Sequence, residues 1–75
     1  MVKIYTTPTC VYCKMAKEFF KKNNVAYQEF DVAADMKARE DMIQKSGQLG
    51  VPVIDVDGKI IVGFDKAALA QALNL

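Results

Sequence analysis

Cys10 and Cys13 are the only cysteines in a chain of 75 residues that contains no histidine. They lie in the stretch Thr9-Cys10-Val11-Tyr12-Cys13-Lys14. Residues three apart on a helix share one face, and a disulfide needs Cα atoms about 4.4–6.8 Å apart. The spacing therefore suits a pair that can close and open without a large backbone movement. If the pair begins a helix, its two sulfurs differ. The first sits among backbone N–H groups that lack helical partners and favour a thiolate; the second lies one turn further in and is shielded. A helix end contributes about 0.3–1 kcal/mol, against about 1.4 kcal/mol for a tenfold change in ionisation. Stronger activation of Cys10 needs hydrogen bonds to its sulfur or a lysine such as Lys14 or Lys17. On this reading Cys10 is the nucleophile and Cys13 resolves the mixed disulfide.

Two other readings stay open from the residues alone. A Cys-x-x-Cys pair can be half of a zinc site, but tetrahedral zinc takes four ligands, and without histidine the rest would come from a second copy or be borrowed. The cysteines can also be incidental. A structural bridge is the weakest use, because closing so short a loop constrains little and structural disulfides are rare in reducing compartments.

The elements around the pair follow from local patterns. Lys3-Ile4-Tyr5 reads as a short strand and Thr6-Thr7-Pro8-Thr9 as a turn, with Pro8 biasing Thr7 away from helical dihedrals. A helix is predicted from Cys10 or Val11, burying Cys13, Ala16, Phe19 and Phe20 and exposing Lys14, Lys17, Glu18, Lys21 and Lys22, with Asn23-Asn24 as its stop. Val25–Val32 reads as a strand. Asp35 is a candidate N-cap for a helix over Met36–Ser46, with Met36, Arg39 and Ile43 on one line, Met42 adjacent, and Gly47 just past its end. Val51–Val56 and Lys59–Val62 are β-rich runs joined by Asp57-Gly58, a strong hairpin signal. Asp65 can cap a last helix carrying Leu69 and Leu73. Tyr5, Phe19, Phe20, Phe30 and the methionines are expected in the core, and Tyr12 and Phe64 at the surface near the sulfur.

Composition narrows the function classes. Net charge is +1, with 25% charged and 52% apolar residues, and there is no clustered basic face of the kind nucleic acid requires. The longest apolar runs fall far short of the ~20 residues of a membrane span. Met1-Val2-Lys3-Ile4-Tyr5 leads straight into structure, so no leader segment is expected and the location is expected to be cytoplasmic. One small domain over 1–75, as a monomer, is expected from the length.

Ile4-Tyr5-Thr6, Cys10-Val11-Tyr12-Cys13, Val51-Pro52 and Val62-Gly63-Phe64-Asp65 together resemble the glutaredoxin family, over essentially the whole chain. The resemblance implies an α/β thioredoxin-like fold in the order β-α-β-α-β-β-α, with a four-stranded mixed sheet flanked by three helices. It implies Cys10 as nucleophile, Cys13 as resolving cysteine and Tyr12 as the active-site tyrosine. Pro52 matches the family's cis-proline and the Val51 main chain the substrate-pairing segment. Gly63, Phe64 and Asp65 match the loop that holds the γ-glutamyl end of glutathione, with Thr9 on the other rim.

There are departures. Val11 stands where the family usually has Pro, threonines stand where many members have a lysine before the first cysteine, and Lys66 replaces a frequent second acid. Val11 and Gly63-Phe64 are also similar to the glutaredoxin-like hydrogen donors of ribonucleotide reductase, which thioredoxin reductase reduces. The implied activity is thiol–disulfide exchange on protein disulfides or glutathione mixed disulfides. No bound cofactor is expected, and glutathione or a disulfide reductase is the implied electron donor. A metal- or iron–sulfur-cluster-binding module is the alternative from another class.

Overall fold

The computed structural model describes residues 1–75. The elements are β1 (Val2–Thr6), α1 (Val11–Lys22), β2 (Tyr27–Asp31), α2 (Met36–Ser46), β3 (Val53–Val56), β4 (Lys59–Val62) and α3 (Lys66–Ala72). Each boundary has a local cause. Asp35 and Asp65 accept the Ala38 and Ala68 N–H groups, as N-caps do. Gly47 ends α2 at φ +74°, and Asp57-Gly58 turns the β3–β4 hairpin with both φ angles positive. Asn24 takes a left-handed conformation at the end of α1, where the Val25 N–H returns to the Phe20 carbonyl. That bond pulls Val25 and Ala26 out of the expected strand, so β2 starts at Tyr27.

The four strands run in the order β2-β1-β3-β4. β1 pairs parallel with β2 across the α1 crossover and antiparallel with β3, which pairs with β4. The arrangement is the expected mixed α/β sheet of thioredoxin-like order.

Side-chain alternation along the strands separates two cores. Val2, Ile4, Ile54, Val56 and Ile61 meet Ala16, Phe19 and Phe20 of α1 and Leu69 of α3. Tyr5 and Val53, one residue out of phase, meet Val32 with Ala38 and Met42 of α2. Thus α1 and α3 cover one face and α2 the other.

Two packing expectations require correction. In α2 the buried line is Ala38–Met42, and Met36, expected on it, is 67% exposed. Met1 and Met15 are also exposed, so Met42 alone of the methionines is in the core. The α2 pattern is ambiguous because the helix carries few apolar residues, and the face is chosen by where β1 and β2 lie. Phe30 is half-buried and stacks on Tyr5 at 5.3 Å between ring centroids.

Beneath α2, a charged group is held on the sheet. Lys45 donates to the Tyr5 hydroxyl at 3.0 Å and to the Asp55 carboxylate at 2.9 Å. Burial would raise the Asp55 carboxyl, but Lys45 and the Gly58 N–H outweigh it and hold the group below its ordinary range. Lys45 is held above its ordinary range, first by Tyr5 and then by Asp55. A depressed carboxyl contributes stability that is present above its unfolded pKa and is lost as pH falls through the folded one. The urea midpoint is therefore expected to drop as pH falls below about 4. Asp55→Asn should weaken that dependence, leaving the share of Glu29, whose carboxyl is also held down, chiefly by Lys17. A variant with an unchanged acid slope would refute this account.

Candidate active site

Cys10 is the N-cap of α1, in extended conformation at φ −90° and ψ 113°. Pro8 keeps the preceding chain out of the helix, and the Cys10 N–H returns to the Thr7 carbonyl. The cap is made by sulfur: Cys10 Sγ accepts the Cys13 N–H at 3.1 Å. The same thiol makes a long contact to the Val51 carbonyl oxygen at 3.9 Å. Cys10 is half-exposed, whereas Cys13 is 1% exposed. Both are free thiols.

Burial, then the neighbouring Cys10 sulfur, pushes the Cys13 thiol up to about 12, while the Thr7 main chain and the Lys17 ammonium pull the other way. Cys13 is thus a shielded thiol in the resting dithiol state.

Opposite the pair, the Val51–Pro52 bond is cis, as the resemblance implies, and Pro52 is buried. β3 begins only at Val53, and the Val51 N–H donates to no other backbone group. The Gly63 N–H donates to the Pro52 carbonyl at 2.8 Å, which ties the end of β4 to the segment facing Cys10. Gly63 has φ +79°, a conformation that suits glycine, and a side chain there would meet open space.

The structure therefore links Cys10, Cys13, Val51, Pro52 and Gly63 through direct contacts or short bonds. Tyr12 is 61% exposed on the turn beside them, and Thr9 is exposed in the loop before Cys10. Neither they nor Asp65, an exposed cap, hydrogen-bonds to a sulfur. Phe64, expected at the surface, is half-buried against Phe19 at 6.1 Å between ring centroids. No group of three or more His, Cys, Asp or Glu side chains converges. No helix is long and apolar enough to cross a membrane.

On the β2 flank lies a feature that local sequence pattern does not show. A cleft of about 240 Å³ is lined by Thr6, Thr7, Pro8, Lys14, Lys17, Glu29 and Asp31. Lys17, expected on a solvated face, instead donates to Glu29 at 2.9 Å, and the buried Thr6 hydroxyl donates to the same carboxylate oxygen at 2.8 Å. Local pattern gave no sign of Glu29. Its only trace was a lysine one turn after Cys13.

A half-exposed thiol at a helix start, a buried thiol behind it and a proline-led strand opposite, on this sheet order, define a thiol–disulfide oxidoreductase of thioredoxin-like fold. The chain belongs to the glutaredoxin family, whose model matches residues 2–61. It is 55% identical over 74 residues to a glutaredoxin-like 8.6 kDa protein of Clostridium pasteurianum, covering 99% of each chain. It is 41% identical over 64 residues to glutaredoxin 3 of Escherichia coli strain K12, covering 85% of this chain and 77% of that one. The crystal structure of the thioredoxin-like protein BC3987 superposes with a TM-score of 0.91 at 39% identity, covering 96% of this chain and 99% of that one.

Proposed function

We propose that this chain reduces disulfides of target proteins, or mixed disulfides with glutathione, by a two-cysteine cycle. The Cys10 thiolate attacks a substrate sulfur; that disulfide breaks, and the departing sulfur leaves as a thiolate. The resulting mixed disulfide lies along Val51-Pro52, where the unpaired Val51 N–H suits an added extended segment. Cys13 then attacks the Cys10 sulfur, the substrate leaves as the reduced thiol, and Cys10–Cys13 becomes a disulfide. Two electrons pass to the substrate and are restored by a thiol or a disulfide reductase.

The observation that carries this reading is the asymmetry of the pair. Cys10 Sγ is accessible and receives an N–H at 3.1 Å, while Cys13 is sealed behind it. Glutathione would lie across Thr9, Tyr12, Val51, Pro52, Gly63, Phe64 and Asp65. One Asp65 oxygen caps Ala68, which leaves the other for an amine.

A thioredoxin-reductase-linked hydrogen donor is a second reading, favoured by Thr7-Pro8-Thr9 where a carboxylate-binding lysine would stand and by Lys66 after Asp65. The oxidised protein should be offered glutathione with its reductase, and separately thioredoxin reductase, following NADPH consumption. Reduction by glutathione is the expected result, and reduction by thioredoxin reductase alone would select the second reading. Protein isolated with bound metal and no reversible disulfide would refute both.

A further inference from the structure

The cycle above leaves the second exchange step with a physical difficulty. Cys13 must lose its proton to attack, yet it is 1% exposed and sits beside the Cys10 sulfur. Forming the mixed disulfide removes the Cys10 negative charge, but the enclosure remains. Three segments of the chain place groups toward Cys13. From its own helix come Cys10 and Lys17, and from the β1–α1 loop the Thr7 main chain. Through Lys17, Glu29 acts from β2, with Tyr27 and Lys21 acting on that pair from farther out.

Among the four lysines of α1, Lys17 alone is held in an ion pair. It is also the one placed four residues after Cys13, on the same helix face. Its ammonium is fixed from β2 by Glu29, and Glu29 is fixed in turn by the buried Thr6 hydroxyl. A tethered cation loses little freedom when a negative charge forms nearby, which makes it a better stabiliser than a mobile one. The polar cleft beside it opens to solvent and has room for several waters, at about 30 Å³ each.

We propose that Lys17, tethered by Glu29 and Thr6, is a positioning residue for the resolving step, stabilising the Cys13 thiolate as its proton passes to solvent. The Cys13 proton goes to water, and the sulfur's electron pair forms the bond to Cys10 Sγ. The bond from Cys10 to the substrate sulfur breaks, and that sulfur leaves with the electron pair and takes a proton from solvent. The inference rests on Cys10 being the attacking and Cys13 the resolving thiol.

The test uses the reduced full chain and dithiobis(nitrobenzoate), an aromatic disulfide that releases a coloured thiolate. Cys10 attack releases the first thiolate, and Cys13 attack on the mixed disulfide releases the second. Lys17→Gln is expected to lower the second rate relative to the first by about threefold near neutral pH. This is the residue of a roughly tenfold loss of thiolate, partly offset by the greater nucleophilicity of a more basic sulfur. The pH profile of the second release should move to higher pH, and Lys17→Arg should restore both rate and profile. A second release in Lys17→Gln with wild-type rate and profile overturns the inference while leaving the two-cysteine cycle intact. So does an equal loss in Lys17→Arg, which marks a merely structural bridge. No second release in the wild type, or a second release that persists in Cys13→Ser, overturns the cycle itself.

Discussion

Replacing Cys10 with serine is expected to abolish disulfide exchange with every substrate, while Cys13→Ser retains the first step and accumulates a mixed disulfide. The hydroxyl in Cys10→Ser can still accept the Cys13 N–H and cap α1, so the fold should survive. What is lost is the nucleophile, since at neutral pH a hydroxyl has no counterpart to a thiolate. In Cys13→Ser the accessible sulfur is intact, but nothing behind it can attack. Mass spectrometry after a brief exposure to a disulfide substrate should find one adduct per chain on Cys10 in that variant. Glutathione should still release it if glutathione is the donor. Residual exchange in Cys10→Ser, or an adduct found on Cys13 in the wild type, would reverse the roles proposed for the two thiols.

Phe20→Ala is expected to be the most damaging core change. Phe20 is 0% exposed and packs edge-on to Phe19 and tilted against Tyr27, at 6.2 Å and 5.3 Å between ring centroids. Truncating a buried phenylalanine costs about 3–5 kcal/mol, through lost transfer energy and the cavity left behind. A domain of this length has roughly 4–11 kcal/mol of stability in total, at about 0.05–0.15 kcal/mol per residue. The substitution therefore removes between about a quarter and all of it. Urea unfolding should show a midpoint lowered accordingly with an unchanged slope. A loss below about 1 kcal/mol would mean that α1 does not depend on this ring, contrary to the packing described.

The N-caps Asp35 and Asp65, the stop at Gly47 and the Asp57-Gly58 turn were all legible in the residues, and all lie where expected. Each is a bond or dihedral preference acting within about four residues, so neighbours in sequence suffice to specify it. The stripe of Cys13, Ala16, Phe19 and Phe20 was legible for a similar reason, as α1 has one strongly apolar face. α2 lacks one. There Ala38 and Met42 win over Met36 because of where the sheet stands, and helical periodicity carries no record of that position. The tether on Lys17 escapes the sequence for the same cause. On a helix wheel it is one of several lysines, and only the parallel pairing of β1 with β2 sets Glu29 and Thr6 beside it.

The order of residues by itself determined the dithiol, its place at the start of a helix and the capped elements that carry it, since these depend on contacts within a turn. Tertiary structure alone decided how near the Val51 carbonyl comes to Cys10 and which lysine is tethered. The Cys10–Val51 contact joins residues 41 apart and the Lys17–Glu29 pair residues 12 apart. Such contacts exist only once β1 has paired on both sides. One edge of β1 brings the Val51 segment to Cys10, and the other brings Glu29 to the flank behind Cys13.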